Sequence, residues 1–180
     1  STVTNIGFQA FGQCDGPYVV HTNNLNYCHY GVALYNKAKT RLIDYPDGFF
    51  ITTIGGDPIM PDTVTEIEPE AFSYTRLTGL SLPHGITEIP IEAFQYSNIH
   101  TIFIPASVTN LAASSFAFCD SLEKLYFKGD APSFFDDIKY HTFESAPPSA
   151  RVYYNTDRLG WNSTYGGIPT IPWLADLTYT

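Results

Sequence analysis

Apolar positions in the middle of the chain recur as a fixed triplet: Leu77, Leu80 and Leu82, then Ile99, Ile102 and Ile104, then Leu122, Leu125 and Phe127. Between the triplets a longer phrase repeats, as "MPDTVTEIEPEAF" (Met60 to Phe72), "LPHGITEIPIEAF" (Leu82 to Phe94) and "IPASVTNLAASSF" (Ile104 to Phe116). Pro61, Pro83 and Pro105 keep step 22 residues apart, and so do Val64, Ile86 and Val108, Thr65, Thr87 and Thr109, Ile67, Ile89 and Leu111, and Phe72, Phe94 and Phe116. One inserted residue before the third triplet makes the period 22–23. A unit this short cannot bury its own apolar side, so successive units are expected to stack into one continuous core. Within "LTGLSL" the alternation predicts a short strand with Leu80 and Leu82 pointing inward and Gly79 and Ser81 outward. Pro83 and its equivalents cannot donate to a ladder, so each strand should end there. The return from Thr87 to Phe94 should send Ile89, Ala93 and Phe94 into the same core.

The flanks modify this pattern. "VTNIGFQAF", Val3 to Phe11, keeps the spacing of Val64 to Phe72; residue 1 is therefore expected to fall inside a repeat, in a piece cut from a longer chain. Val32 to Tyr35 and Thr40 to Tyr45 are two apolar-alternating runs around the polar turn "NKAK", which predicts a hairpin. From Gly129 the period fails, and the chain becomes rich in Pro, Gly and aromatics. The last coil of a stack exposes an apolar cross-section that must be covered, and Phe134, Phe135, Phe143, Trp161 and Trp173 are the expected lid.

The segment "IPASVTNLAASSFAFCDSL", Ile104 to Leu122, resembles the BspA-like leucine-rich-repeat family, whose consensus runs close to I-P-x-S-V-T-x-I-x-x-x-A-F-x-x-C-x-x-L. The segment Asn23 to Gly48 is similar to an irregular insert of the same family, and the stretch after Gly129 to its terminal segments. The resemblance implies a strand-rich α/β solenoid, a right-handed leucine-rich-repeat array with a hairpin insert and a C-terminal cap. In that reading residues 1–180 form a single domain: a partial first repeat at 1–21, the hairpin insert at 22–57, regular repeats at 58–127 and the cap at 128–180.

Composition narrows the function classes. The chain is 44% hydrophobic and 16% aromatic with 15% charged residues, which excludes a solvated, disordered polymer. Its net charge of −9 carries no offsetting Lys/Arg cluster, so nucleic acid and anionic membrane surfaces are not expected partners. No apolar run approaches the ~18 residues of a membrane span, and membrane insertion is not expected.

Candidate chemistry is sparse. Cys14 and Cys119 share a column, several coils and thus at least ~5 Å per coil apart, beyond the ~7 Å Cα separation a disulfide allows; the resemblance implies a buried packing cysteine there. A Cys14–Cys28 bridge is left open by the sequence. In "CHY", Cys28 and His29 are adjacent on an extended segment and point to opposite faces, and no further metal-ligand spacing accompanies them. Glu66 and Glu88 form one acidic column and Glu70 and Glu92 another, but their third members, Asn110 and Ser114, break any calcium ladder. No nucleophile elbow, phosphate loop or dinucleotide fingerprint occurs. "NST" at Asn162 is a formal glycosylation acceptor. No cofactor, metal ion or catalytic residue is therefore expected.

The outward strand positions are more informative. The register puts Ile59, then Gly79 and Ser81, then Thr101 and Phe103, then Lys124 and Tyr126 on the concave sheet, with Phe103 beside Tyr126. Aromatics flanked by polar groups suit protein recognition, although the same pair could serve only the sheet. The expected binding face is Ile59, Ser81, Thr101, Phe103, Lys124 and Tyr126, used non-catalytically for a protein ligand. The family resemblance implies an extracellular or cell-surface setting, with any signal or anchor outside these residues. The alternative is a carbohydrate-binding or accessory module that stacks sugar rings on Trp161, Tyr153 or Tyr126; against it, Trp161 and Trp173 suit a core plug.

Overall fold

A computed structural model describes residues 3–7, 10–12, 14–48, 60–134 and 141–173. Three short strands come first, β1 (Tyr27–Tyr30), β2 (Ala33–Asn36) and β3 (Arg41–Asp44). The repeats then supply β4 (Glu66–Ile67), β5 (Gly79–Ser81), β6 (Glu88–Ile89), β7 (Thr101–Ile104), β8 (Asn110–Leu111) and β9 (Lys124–Phe127). Four more follow: β10 (Ser133–Phe134), β11 (Arg151–Asn155), β12 (Thr164–Tyr165) and β13 (Ile168–Trp173).

The triplets build a six-stranded sheet ordered β12-β13-β11-β9-β7-β5, parallel from β5 through β13. Leu80 lies beside Ile102 and Ile102 beside Leu125, and all three are within 1% of complete burial. Val152 on β11 extends this rung. Across the core runs a column of rings. Phe72 stacks on Phe94 at 4.9 Å and Phe94 on Phe116 at 5.0 Å, with the ring planes nearly parallel in both cases. Burying such side chains stabilises the fold by roughly 1.5–3 kcal/mol each, so the column is a main source of cohesion between coils.

The return side explains why the fold departs from the α/β class expected for it: among the described residues there is no helix. The two-residue strands β6, β8 and β10 pair side by side, and tight turns follow β4, β6 and β8. In these turns Glu70 and Tyr74, Glu92 and Tyr96, and Ser114 and Phe118 all hold positive φ near 60°. A left-handed residue every fourth position is incompatible with a right-handed helix. The turns bond to the next coil instead: Phe72 N–H donates to the Ala93 carbonyl and Tyr74 N–H to that of Gln95, and Phe94 and Tyr96 repeat the pattern toward Ser115 and Ala117.

The N-terminal end of the stack is not closed by Phe11. That ring lies edge-on to Tyr18 at 5.1 Å, and Val3 is 54% exposed. The column continues from Phe72 to Tyr45, 5.6 Å away, because β3 pairs in parallel with β4 and places Leu42 beside Ile67. β2 is antiparallel to both β1 and β3. At the other end, the expected change of character at residue 128 does not end the sheet, since β11 and β13 prolong it. Phe143 likewise stacks on Phe116 at 5.6 Å. Tyr165 packs at this end: 7% exposed, it meets Phe127, Phe134, Phe143 and Trp161 and donates its hydroxyl to the Pro132 carbonyl at 2.8 Å.

Candidate functional site

The outer face of the six-stranded sheet follows from strand parity. With Leu80, Ile102, Leu125 and Val152 inward, the register aligns Ser81, Phe103, Tyr126, Tyr153 and Ile171 in one outer row. Phe103 stacks on Tyr126 at 4.7 Å and 8°, and Tyr126 on Tyr153 at 4.7 Å and 20°. Strand spacing of about 4.8 Å dictates this contact. A parallel row holds Gly79, Thr101, Lys124 and Arg151.

Of the expected binding residues, Ser81 and Lys124 are exposed, and Phe103 and Tyr126 are half-buried. Thr101 was expected to face solvent but is 9% exposed; it is short, on a central strand, beside the long Lys124. Ile59 lies outside the described residues. The strands of this sheet contribute Lys124 and Arg151 and no Asp or Glu, which sets the face apart in a chain of net charge −9. The two cations are register neighbours, and one Arg151 nitrogen donates to the carbonyls of Pro148 and Ala150.

Sequence reasoning offered Tyr153 only as a sugar-stacking ring, not as the extension of the aromatic row that it is, and misplaced Trp173. That ring does not plug the core; it stands edge-on to Tyr126 at 5.3 Å, because parity at the end of β13 points it outward with Ile171. Trp161 does pack at the core end, against Phe127, Tyr154 and Tyr165, with its indole N–H donating to the Gly129 carbonyl. Phe134 is 37% exposed, at the margin of the lid, and Phe135 lies outside the described residues. The stacking also bears on sugar binding: Tyr126 has Phe103 on one side and Tyr153 on the other, so neither of its faces is presented to a pyranose ring.

A second aromatic row lies on the return side. Tyr74 stacks on Tyr96 at 4.9 Å and Tyr96 on Phe118 at 4.7 Å, and the two tyrosines are 46% and 44% exposed. The signal was present in the repeat, since these residues follow Phe72, Phe94 and Phe116 by two positions.

Residues 47–156 match the family model described as BspA type leucine rich repeat region, in six copies. The chain belongs to the BspA-type leucine-rich-repeat family. A leucine-rich repeat protein from Eubacterium ventriosum, known from its crystal structure, superposes with a TM-score of 0.57 at 24% identity, over 84% of this chain and 39% of that one. The pneumococcal vaccine antigen PcpA aligns with a TM-score of 0.48 at 19% identity, over 85% of this chain and 49% of that one. The chain thus spans less than half the length of either protein. No curated protein matches it.

Other candidate groups in this BspA-type repeat sort by their surroundings. Cys14, Cys28 and Cys119 are unbridged. Cys119 is fully buried, its thiol donates to the Phe94 carbonyl at 3.0 Å, and burial pushes its pKa up to about 12, a packing thiol rather than a nucleophile. Cys28 bonds the Asn36 carbonyl while His29 accepts from Val20 N–H through Nδ1; the two side chains engage different partners. Glu66 pairs with Arg41 at 3.5 Å, and Arg41 also holds Glu68 at 2.8 Å. Among the described residues no helix is long and apolar enough to cross a membrane.

Two perturbed carboxylates lie at the N-terminal end. Tyr18 donates its hydroxyl to Asp44. Burial, with a smaller push from Asp47, raises Asp44 to about 7 against the pull of that hydrogen bond. Asp47 rises to about 6, first through burial and then through Asp15, with Arg76 opposing.

Proposed function

We propose that the chain is a non-catalytic binding module of a surface-displayed protein, and that it takes a protein partner on the outer face of the six-stranded sheet. The observation that carries this reading is the Phe103, Tyr126 and Tyr153 row beside Lys124 and Arg151. A row of aromatic edges next to cations is a surface of the kind that supplies binding energy at protein interfaces. Membership in the BspA-type family supports a repeat module with a recognition role, by analogy of fold. Within this proposal residues 1–180 act as one right-handed array of 22–23-residue repeats. The β1–β3 insert closes one end, and the segment around Tyr165 caps the other.

The test is capture of proteins from a cell-surface extract on the immobilised chain, with Phe103→Ala, Tyr126→Ala and Lys124→Glu as variants. Lys124 is exposed, so its substitution changes the face without disturbing the core. Selective loss of one captured protein in all three variants is the expected result. Undiminished capture by every variant, or glycan-array binding that disappears with Trp161→Ala, refutes it in favour of another surface.

A further inference from the structure

The row of Tyr74, Tyr96 and Phe118 is not accounted for by the strand face. Each of its members sits in the left-handed region, with φ of 59°, 59° and 58°. A non-glycine residue is strained there, and Gly or Asn would fill these turns more comfortably. The two tyrosines also leave nearly half of their surface in water. Stacking of exposed rings stabilises them only modestly. Neither turn geometry nor core packing therefore explains why bulky rings occupy this column.

The end of the row is more specific than its middle. Tyr96 is covered on both faces by its neighbours. Tyr74 stacks on Tyr96 and also lines a cavity of about 590 Å³. Asp44, Asp47, Glu68, Glu70 and Arg41 line the same cavity. Arg41 is already engaged by Glu66 and Glu68, and Arg76 offsets part of the Asp47 charge. The balance is a chamber lined by these carboxylates and by the rings of Phe11, Tyr27 and Tyr74, the last of which continues into the row of Tyr96 and Phe118. Glu70, Glu92 and Asp47 all act on the Tyr74 hydroxyl and, after burial and Tyr96, push its pKa up; the carboxylates and the ring thus share one electrostatic environment.

We infer that this chamber and the tyrosine strip form a second binding site, for an arginine-rich segment of a protein partner. An arginine guanidinium fits both elements. It is attracted to the electron-rich face of Tyr74 and is bonded bidentately by carboxylates, while the aliphatic stem of a neighbouring side chain lies along the Tyr96 edge. A lysine ammonium, a strongly hydrated point charge, matches the stacking wall less well. The site stands apart from the strand face in residues and in partner charge, so either can fail without the other.

The probe is a synthetic hexa-arginine peptide, with hexa-lysine and hexa-glutamate as controls, titrated against the full chain at low and physiological salt. Tyr74→Ala should weaken hexa-arginine binding about tenfold and Tyr74→Phe by less than twofold, since the ring rather than the hydroxyl is used. Glu70→Gln should weaken it several-fold. Glu123→Gln removes the same charge from an exposed position before β9 and should change affinity less than twofold. Circular dichroism of each variant establishes that the fold is intact. Wild-type affinity in both Tyr74→Ala and Glu70→Gln, or an equal loss in Glu123→Gln, reduces the effect to net charge and overturns the inference.

Discussion

Replacing Phe94 by Ala removes the central ring of the buried column. Phe94 is completely buried and lies between Phe72 at 4.9 Å and Phe116 at 5.0 Å. Core Phe-to-Ala changes cost about 3–5 kcal/mol through lost burial and the cavity left behind. Two stacked contacts, each about 0.5–1.5 kcal/mol beyond their area, put this position near the top of that range. Phe94→Leu keeps most of the apolar volume and loses both stacks, so it should cost about 1–3 kcal/mol. Tyr96→Ala also breaks two stacks but vacates a surface position that is 44% exposed, and about 1–2 kcal/mol is expected there. Urea unfolding followed by circular dichroism gives all three values, provided the denaturant slope is unchanged. A loss below 1 kcal/mol for Phe94→Ala, or equal losses at positions 94 and 96, would falsify the stacked-column reasoning.

Further substitutions probe other columns of the repeat. Ser115 occupies the position held by Ala71 and Ala93, and its buried hydroxyl has no hydrogen-bond partner. Ser115→Ala should therefore stabilise by about 1 kcal/mol in the same urea assay, and a destabilised variant contradicts that reading. A Cβ added at Gly85 comes within 2.8 Å of the Val64 carbonyl oxygen; Gly85→Val should lower stability by about 1–3 kcal/mol, and an unchanged melting temperature counts against such close coil packing. For Asp44 and Asp47 the folded pKa values of about 7 and 6 lie above the ordinary 3.8. Their contribution to stability is therefore full below about pH 4 and is lost as pH rises through 6 to 7. Asp44→Asn, which keeps an acceptor for Tyr18, should raise the melting temperature at pH 8 and flatten its decline between pH 5 and 8; a steeper decline reverses the sign.

Periodicity made the core legible because a solenoid writes each inward position once per coil. Leu80, Ile102 and Leu125, and the column of Phe72, Phe94 and Phe116, could be aligned by eye and are stacked as aligned. The absence of helix among the described residues was not legible, since nothing in Glu92 or Tyr96 announces a positive φ; the conformation is imposed by bonds to the next coil. Spacing misled at both ends. Phe11 carries the right interval, yet Tyr45 takes the column because β3 inserts beside β4. Phe143 and Val152 continue the column and the rung after a longer interval that reads as loss of the repeat. Of the candidate site, Phe103, Lys124 and Tyr126 follow from strand parity. Placing Tyr153 and Trp173 on the face required knowledge of which later strand joined the sheet, and the 22-residue spacing of Tyr74, Tyr96 and Phe118 does not by itself show that their rings stack at the surface.

Site-specific photo-cross-linking addresses the strand-face reading most directly. A benzophenone side chain is placed at Ser81 or Lys124, both exposed on that face, and as a control at Asp62, exposed in the turn before Val64. With a cell-surface extract as the source of partners, the same protein adduct should form from positions 81 and 124 and be absent from position 62. An adduct formed only from position 62, or none from the two strand positions while the chain still captures its partner, would contradict recognition through the sheet.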